Sequence, residues 1–351
     1  MMIHPNLLII IWLPALLIGF MLLMDFVQTR KEGKKMTSKE AKHQMKLPPF
    51  KLEALATTAN EIPYGVKMMQ APEVWEQGGK GEGIVVCILD TGIDKNHPDL
   101  KDNIIDGRNF SDSGSPSDYQ DRNGHGTHVA GTIAAVENGN GVVGVAPKAK
   151  LLIGKVLGDD GSGSYQSIIK GIKWATAWRG KNGERVRIIS MSLGGSYNDP
   201  RQYKAILEAC AAGIMVVCAA GNEGDADENT YEYGYPALYP ETISVAACDE
   251  GKQLASFSNN NLQVDVIGAG VKVLSTYPTN QYAVLSGTSM ATPHISGALA
   301  LVINIGEKQF KRPLTESEIF ALLTKCCCSL GYQKSSEGHG LPELTRIFAE
   351  C

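Results

Sequence analysis

Four short stretches of the chain carry residue types that together can break an acyl bond. In Ser286-Gly287-Thr288-Ser289-Met290-Ala291-Thr292-Pro293 a serine stands among small residues, just ahead of the apolar run Ile295, Gly297, Ala298, Leu299, Ala300, Leu301 and Val302. The run reads as a buried helix, and the free N–H groups at a helix start favour developing negative charge. Ser289 there is either an exposed nucleophile or a plain helix cap. A serine hydroxyl is a weak nucleophile at neutral pH and needs a histidine base oriented by a carboxylate. Both stand upstream, as Asp90 at the end of Ile84-Val85-Val86-Cys87-Ile88-Leu89-Asp90-Thr91-Gly92 and His125 in Asn123-Gly124-His125-Gly126-Thr127-His128. Acyl transfer also builds an oxyanion, which a side-chain amide can stabilise. Asn222 in Gly221-Asn222-Glu223-Gly224 offers one, although a lone Gly-Asn is ordinarily a turn.

The elements that must position these groups are legible around them. The run ending in Asp90 has the β-branched composition of a buried strand, and α/β proteins keep their chemistry where such strands end. Ile214-Met215-Val216-Val217-Cys218-Ala219-Ala220 is a second buried strand and runs directly into Asn222. His125, between two glycines, opens a helix of small residues. Tyr165, Ile168, Ile169, Ile172 and Ala175 recur at the spacing of one helix face. Thr315-Glu316-Ser317-Glu318 is a capping box.

Taken together, Asp-Thr-Gly, His-Gly-Thr-His and Gly-Thr-Ser-Met-Ala, in that order, resemble the subtilisin family of serine endopeptidases over roughly residues 60 to 325. The resemblance implies an α/β, three-layer fold with a mainly parallel central sheet flanked by helices. It implies Asp90 as orienting acid, His125 as base and Ser289 as nucleophile, the family's own arrangement. Asn222 and the Ser289 backbone N–H would serve the oxyanion, and His128 would be a structural histidine facing inward.

The same resemblance suggests how a peptide is held. Ser192, Leu193 and Gly194, in Arg187-Ile188-Ile189-Ser190-Met191-Ser192-Leu193-Gly194-Gly195, would pair with an extended substrate as an added strand. Tyr165 would stand at the rim of a pocket distal to the cleaved bond. Ala219, Ala220 and Gly221, with Gly234, would line the pocket beside it. Broad cleavage after apolar or aromatic residues is expected, with Glu223 also able to admit a basic one. A structural calcium ion is implied on Asn60, Asp99, Asn138 and the carbonyls of Val136, Asn140 and Val142, an all-oxygen set of the kind Ca2+ takes.

Composition is compatible with this reading. The 351 residues are 43% hydrophobic and carry a formal net charge of -4, enough for a large core and no global attraction to nucleic acid. The eight cysteines show neither disulfide nor zinc spacing: Cys87, Cys218 and Cys248 lie in strand-like runs, Cys210 on a helix face, Cys326-Cys327-Cys328 are adjacent, and Cys351 is terminal. Free thiols of this kind suit a reducing cytoplasm.

Organisation is expected in four parts: an apolar segment (1–35), a short inhibitory extension (36–59), the catalytic domain (60–325) and a C-terminal extension (326–351). Residues 7–24 are almost entirely apolar and just reach the length needed to span a bilayer, with Arg30, Lys31, Lys34 and Lys35 following on the side that stays inside. The alternative is a true start at Met36, and either way the catalytic domain is expected in the cytoplasm. Leu47-Pro48-Pro49-Phe50 is similar to the Leu-Ile-Pro-Tyr inhibitory segment of intracellular subtilisins, and its removal near Ala59-Asn60 would activate the enzyme. The loops Trp178 to Arg185 and Asp225 to Asn229 are similar to that group too. In that group a C-terminal tail helps form a dimer, which makes a homodimer possible here; protein and peptide substrates are the other partners implied.

Overall fold

Seven parallel strands form the central sheet of the computed structural model, which describes residues 44 to 349. In chain order the strands are β1 (Gln44–Lys46), β2 (Lys51–Ala56), β3 (Asn60–Glu61), β4 (Val85–Asp90), β5 (Ile104–Asn109), β6 (Gly141–Val142), β7 (Lys150–Lys155) and β8 (Ser162–Ser164). They continue as β9 (Val186–Met191), β10 (Met215–Ala219), β11 (Ile243–Cys248), β12 (Val264–Ala269), β13 (Val273–Tyr277), β14 (Gln281–Ser286), β15 (Cys327–Cys328) and β16 (Leu341–Pro342). The central order is β12-β11-β10-β9-β4-β7-β5. The strand order reverses at β4, the position where open α/β sheets place their sites.

Both faces of the sheet are covered, so its strands read as continuous apolar runs. Alternation along β4 assigns each side chain: Val86 and Ile88 enter one core, Val85, Cys87 and Leu89 the other. In β10, Met215 and Val217 divide from Val216 and Cys218 in the same way. The first core receives the His125–Ala134 helix and the 23-residue Thr288–Phe310 helix; the second receives Tyr165–Ala177 and Pro200–Ala211. Every expected face residue of the Tyr165 helix is buried. The capping box forms as read, with Thr315 and Glu318 bonding reciprocally.

Past Cys326 the chain folds back onto the domain. Cys327 pairs with Pro342 across β15 and β16, Leu341 lies in a small cluster with Ala246 and Ile267, and Leu344 and Ile347 enter the first core. The seven described cysteines are free. The apolar segment 7–24 and both readings of it lie outside the described residues; among the described residues no helix is long and apolar enough to cross a membrane.

Candidate active site

Asp90 is the last residue of β4, and its carboxylate, 1% exposed, accepts the Thr91 N–H at 2.7 Å. His125 begins the neighbouring helix and donates from Nδ1 to Asp90 Oδ1 at 2.8 Å, with Oδ2 at 3.0 Å. A carboxylate can only accept, so this bond fixes the hydrogen on Nδ1 and leaves Nε2 as a free base. The glycines flanking His125 are spatial necessities. A Cβ on Gly126 would sit 2.2 Å from the Gly92 carbonyl, and one on Gly124 would strike the Tyr277 ring at 2.3 Å.

His128 differs in kind. Its Nε2 faces the carbonyls of Val273 and Ala283 at 3.0 and 3.1 Å, so that nitrogen carries the hydrogen. Burial pushes its pKa down to about 3, which keeps it neutral at working pH.

Ser289 lies in the first turn of the Thr288–Phe310 helix, at the mouth formed by the ends of β9 and β10. Pro293, inside that helix, has no N–H to give the Ser289 carbonyl four residues back. The Ser192 hydroxyl donates to that carbonyl instead, at 2.9 Å, and ties the helix to the strand segment after β9. Asn222 is held from below: its Oδ1 accepts from the Thr288 N–H at 2.8 Å and the Thr288 hydroxyl at 2.7 Å. Those two donors turn Nδ2 outward.

The cleft is filled by the chain itself. β1 pairs antiparallel with β8, Lys46 exchanges both backbone bonds with Gly194 (2.9 and 2.8 Å), and the Leu47 N–H donates to the Gly161 carbonyl at 3.0 Å. Met45 is fully buried in the same cluster as Tyr165, Ile169 and Leu193. Tyr165 and Met45 both press on Gly195, where a Cβ would meet the hydroxyl at 2.6 Å and the sulfur at 2.9 Å. The Pro49 carbonyl accepts from Asn222 Nδ2 at 2.7 Å, and the Phe50 ring caps His125 with centroids 5.0 Å apart. His125 is consequently 0% exposed. The Ser289 hydroxyl donates to the Ser192 carbonyl at 3.3 Å, while His125 Nε2 has no hydrogen-bond partner among the described residues.

Ala219, Ala220 and Gly221 follow one another from the end of β10, all buried, and a Cβ on Gly234 would lie 3.4 Å from the Ala220 carbonyl. The residues named for calcium also come together. Asp99, 1% exposed, accepts from Asn138 Nδ2 at 3.0 Å, the Val142 N–H at 3.1 Å and the Tyr282 hydroxyl at 3.1 Å. Its backbone carbonyl accepts from Val136, the Asn140 N–H donates to Asn138 Oδ1 at 2.9 Å, and Asn60 pairs with Gly141.

Three further residues brace the site and were not singled out by sequence reasoning. Asp121, 2% exposed, accepts from the Thr91 hydroxyl (3.0 Å), the N–H groups of Asn123 and Gly124 (2.9 Å each), and the Thr127 N–H and hydroxyl (2.9 and 2.6 Å). It thereby fastens the end of β4 to the start of the His125 helix. The Thr91 hydroxyl completes the link by accepting the Gly126 N–H at 3.0 Å. Lys155, whose Cα is the register partner of Asp90, is fully buried and donates to the Thr91 carbonyl at 2.6 Å and to Asp159 at 2.8 Å. The signal for Asp121 is local: an aspartate opening Asp-Arg-Asn-Gly just before a helix is a turn-and-cap pattern.

A carboxylate bonded to a histidine, a serine at a helix start and an oriented amide are groups that acyl transfer can use. The subtilase family model matches residues 81–340. The chain belongs to that family. It is 51% identical over 308 residues to an intracellular serine protease of Paenibacillus polymyxa, covering 86% of this chain and 92% of that one. It is 48% identical over 305 residues to the major intracellular serine protease of Bacillus subtilis (strain 168), covering 86% and 94%. Subtilisin E of the same strain is 45% identical over 246 residues, 70% of this chain and 62% of that one. This subtilase is therefore a serine endopeptidase acting on proteins and peptides, on an α/β subtilisin-like fold.

Proposed function

We propose that this subtilase is a broad-specificity protease of intracellular proteins, kept latent by its N-terminal extension, residues 36–59, and self-activated by removing it. In this reading His125 takes the Ser289 proton as the hydroxyl attacks the substrate carbonyl, and Asp90 holds the imidazole and stabilises it once charged. Asn222 Nδ2 and the Ser289 N–H receive the oxyanion. His125 then protonates the leaving amine, and water repeats the cycle on the acyl-enzyme. The observation that carries it is the Pro49 carbonyl on Asn222 Nδ2, where a substrate carbonyl would lie.

Latency then has a chemical cause. A residue in the position of Pro49 would ordinarily offer its N–H to a nearby acceptor, and proline has none. The Ser192 carbonyl is left free to draw the Ser289 hydroxyl away from His125. The buried Met45 side chain holds the segment in place, contributing on the order of 2 kcal/mol. Replacing Pro49 by alanine should turn the plug into a substrate. Intact mass of a Pro49→Ala chain is expected to show a product beginning at Phe50; a chain that stays full length and as latent as its parent would contradict the reading.

Specificity in this reading follows from the small wall at Ala219, Ala220 and Gly221, and from the apolar pocket of Tyr165 that Met45 occupies. The names of the two intracellular relatives and the free cysteines support a cytoplasmic location.

Calcium belongs to the same proposal. Among the described residues no cluster of three or more His, Cys, Asp or Glu could hold a metal, so a site here would rest on Asp99 and neutral oxygens. That set fits a hard cation, and Asp99 is a buried carboxylate with no ion-pair partner among the described residues. Chelation is expected to lower Tm by about 5 °C, the scale of a ligand well above its Kd. Differential scanning fluorimetry with and without calcium checks this, and Asp99→Asn should erase the difference. A Tm indifferent to calcium in the parent chain would remove the ion from the account.

A further inference from the structure

The self-bound segment does not end at the oxyanion site. From Pro49 the backbone passes through Phe50 into β2, which runs antiparallel to β14 from Lys51 opposite Ser286 to Ala56 opposite Tyr282. With Phe50 as the first residue beyond the bound carbonyl, the second to the seventh lie along β14. β2 is the outer strand of the order β13-β14-β2. Its large side chains face water, Leu52 45% and Leu55 54% exposed. Side-chain burial therefore holds little of it, and the backbone ladder holds the rest.

β14 itself is firmly seated. Ala283 and Leu285 are fully buried, and Tyr282 and Ser286 are each 6% exposed. Loss of β2 leaves a rigid strand with an unpaired edge, leading away from Ser289 on the leaving-group side. Such an edge takes any extended chain, because main-chain bonds do not depend on side-chain identity.

We propose that in the processed enzyme the freed edge of β14 is a docking strand for the leaving-group side of the substrate, pairing with residues up to the seventh beyond the cleaved bond. The substrate class this selects is long, unfolded polypeptide rather than short peptide or folded protein. The inference rests on the protease reading above and on removal of the segment. One side chain adds a preference: Ser286 donates to Glu53 Oε1 at 3.3 Å, so the fourth position favours an acceptor.

The test uses self-processed enzyme and quenched fluorescent peptides that share one sequence before the cleaved bond. One series ends at the third residue after it and another at the seventh. Added ladder bonds should act on ground state and transition state alike, so KM is expected to fall by at least about tenfold with kcat unchanged. Only alternate residues of an antiparallel strand point N–H at their partner. N-methylation at the fifth residue in one long peptide, and at the sixth in another, should therefore abolish the gain in one and spare it in the other. No gain beyond the third residue, or a gain lost in both or in neither methylated peptide, would overturn the proposal. Failure to cleave any of these peptides would instead strike the protease reading beneath it.

Discussion

Ser289→Ala is expected to remove essentially all peptidase activity and all self-processing while leaving the fold intact. The hydroxyl contributes one bond of 3.3 Å to the Ser192 carbonyl, so its loss costs little stability. Among the described residues the neighbouring hydroxyls are engaged elsewhere: Ser192 is committed to the Ser289 carbonyl and Thr288 to Asn222. A loss in kcat of about 10^6-fold is the magnitude known for subtilisin itself, so it is borrowed from the family rather than independent of it. Initial rates on an unfolded protein substrate, with Tm measured alongside, check this. Residual activity within about a hundredfold of the parent would mean that the nucleophile lies elsewhere.

Asp90→Asn carries the second largest expected effect. The amide is nearly isosteric, so β4 and the His125 helix should keep their places through Asp121 and Thr91. What changes is chemical. An amide can present N–H where the carboxylate only accepts, so the imidazole is no longer obliged to keep its hydrogen on Nδ1, and the imidazolium loses its buried counter-charge. A kcat loss of about 10^4-fold is expected, again the family's own scale, with KM within about threefold. A change confined to KM would show that Asp90 shapes binding and not proton transfer.

How far these groups could be read from sequence depends on whether their roles are local. Asp90, His125 and Ser289 sit in short stretches whose neighbours betray them: an apolar strand ending in a carboxylate, glycines where a Cβ would collide, a small-residue helix start. Pro293 was visible but its consequence was not. The carbonyl it frees is claimed by Ser192, nearly a hundred positions away, and no local pattern encodes that bond. Lys155 was missed for the same reason, since it reaches the Thr91 carbonyl, while Asp121 was hidden in an ordinary turn-and-cap pattern. A buried aspartate with five donors and a surface aspartate in a turn look alike until the chain is folded.

Segments outside the sheet reveal their roles unevenly in the sequence. Leu47-Pro48-Pro49-Phe50 stands out through its prolines, yet Met45 just ahead of it is fully buried, and nothing in its own neighbourhood marks it. The stretch after Cys326 has no sustained period, only single apolar residues such as Leu341, Leu344 and Ile347. Periodicity reports regular elements and is blind to a tail that fastens itself by isolated anchors.

The most direct test of the central claim is covalent labelling. The chain, before and after self-processing, would be treated with a fluorophosphonate that reacts with activated serine hydroxyls, and the label located by peptide mass spectrometry. The expected result is one label per processed molecule, on Ser289, and none on the unprocessed chain, where Pro49 and Phe50 cover the site. A label on another residue, or equal labelling before and after processing, would contradict the account.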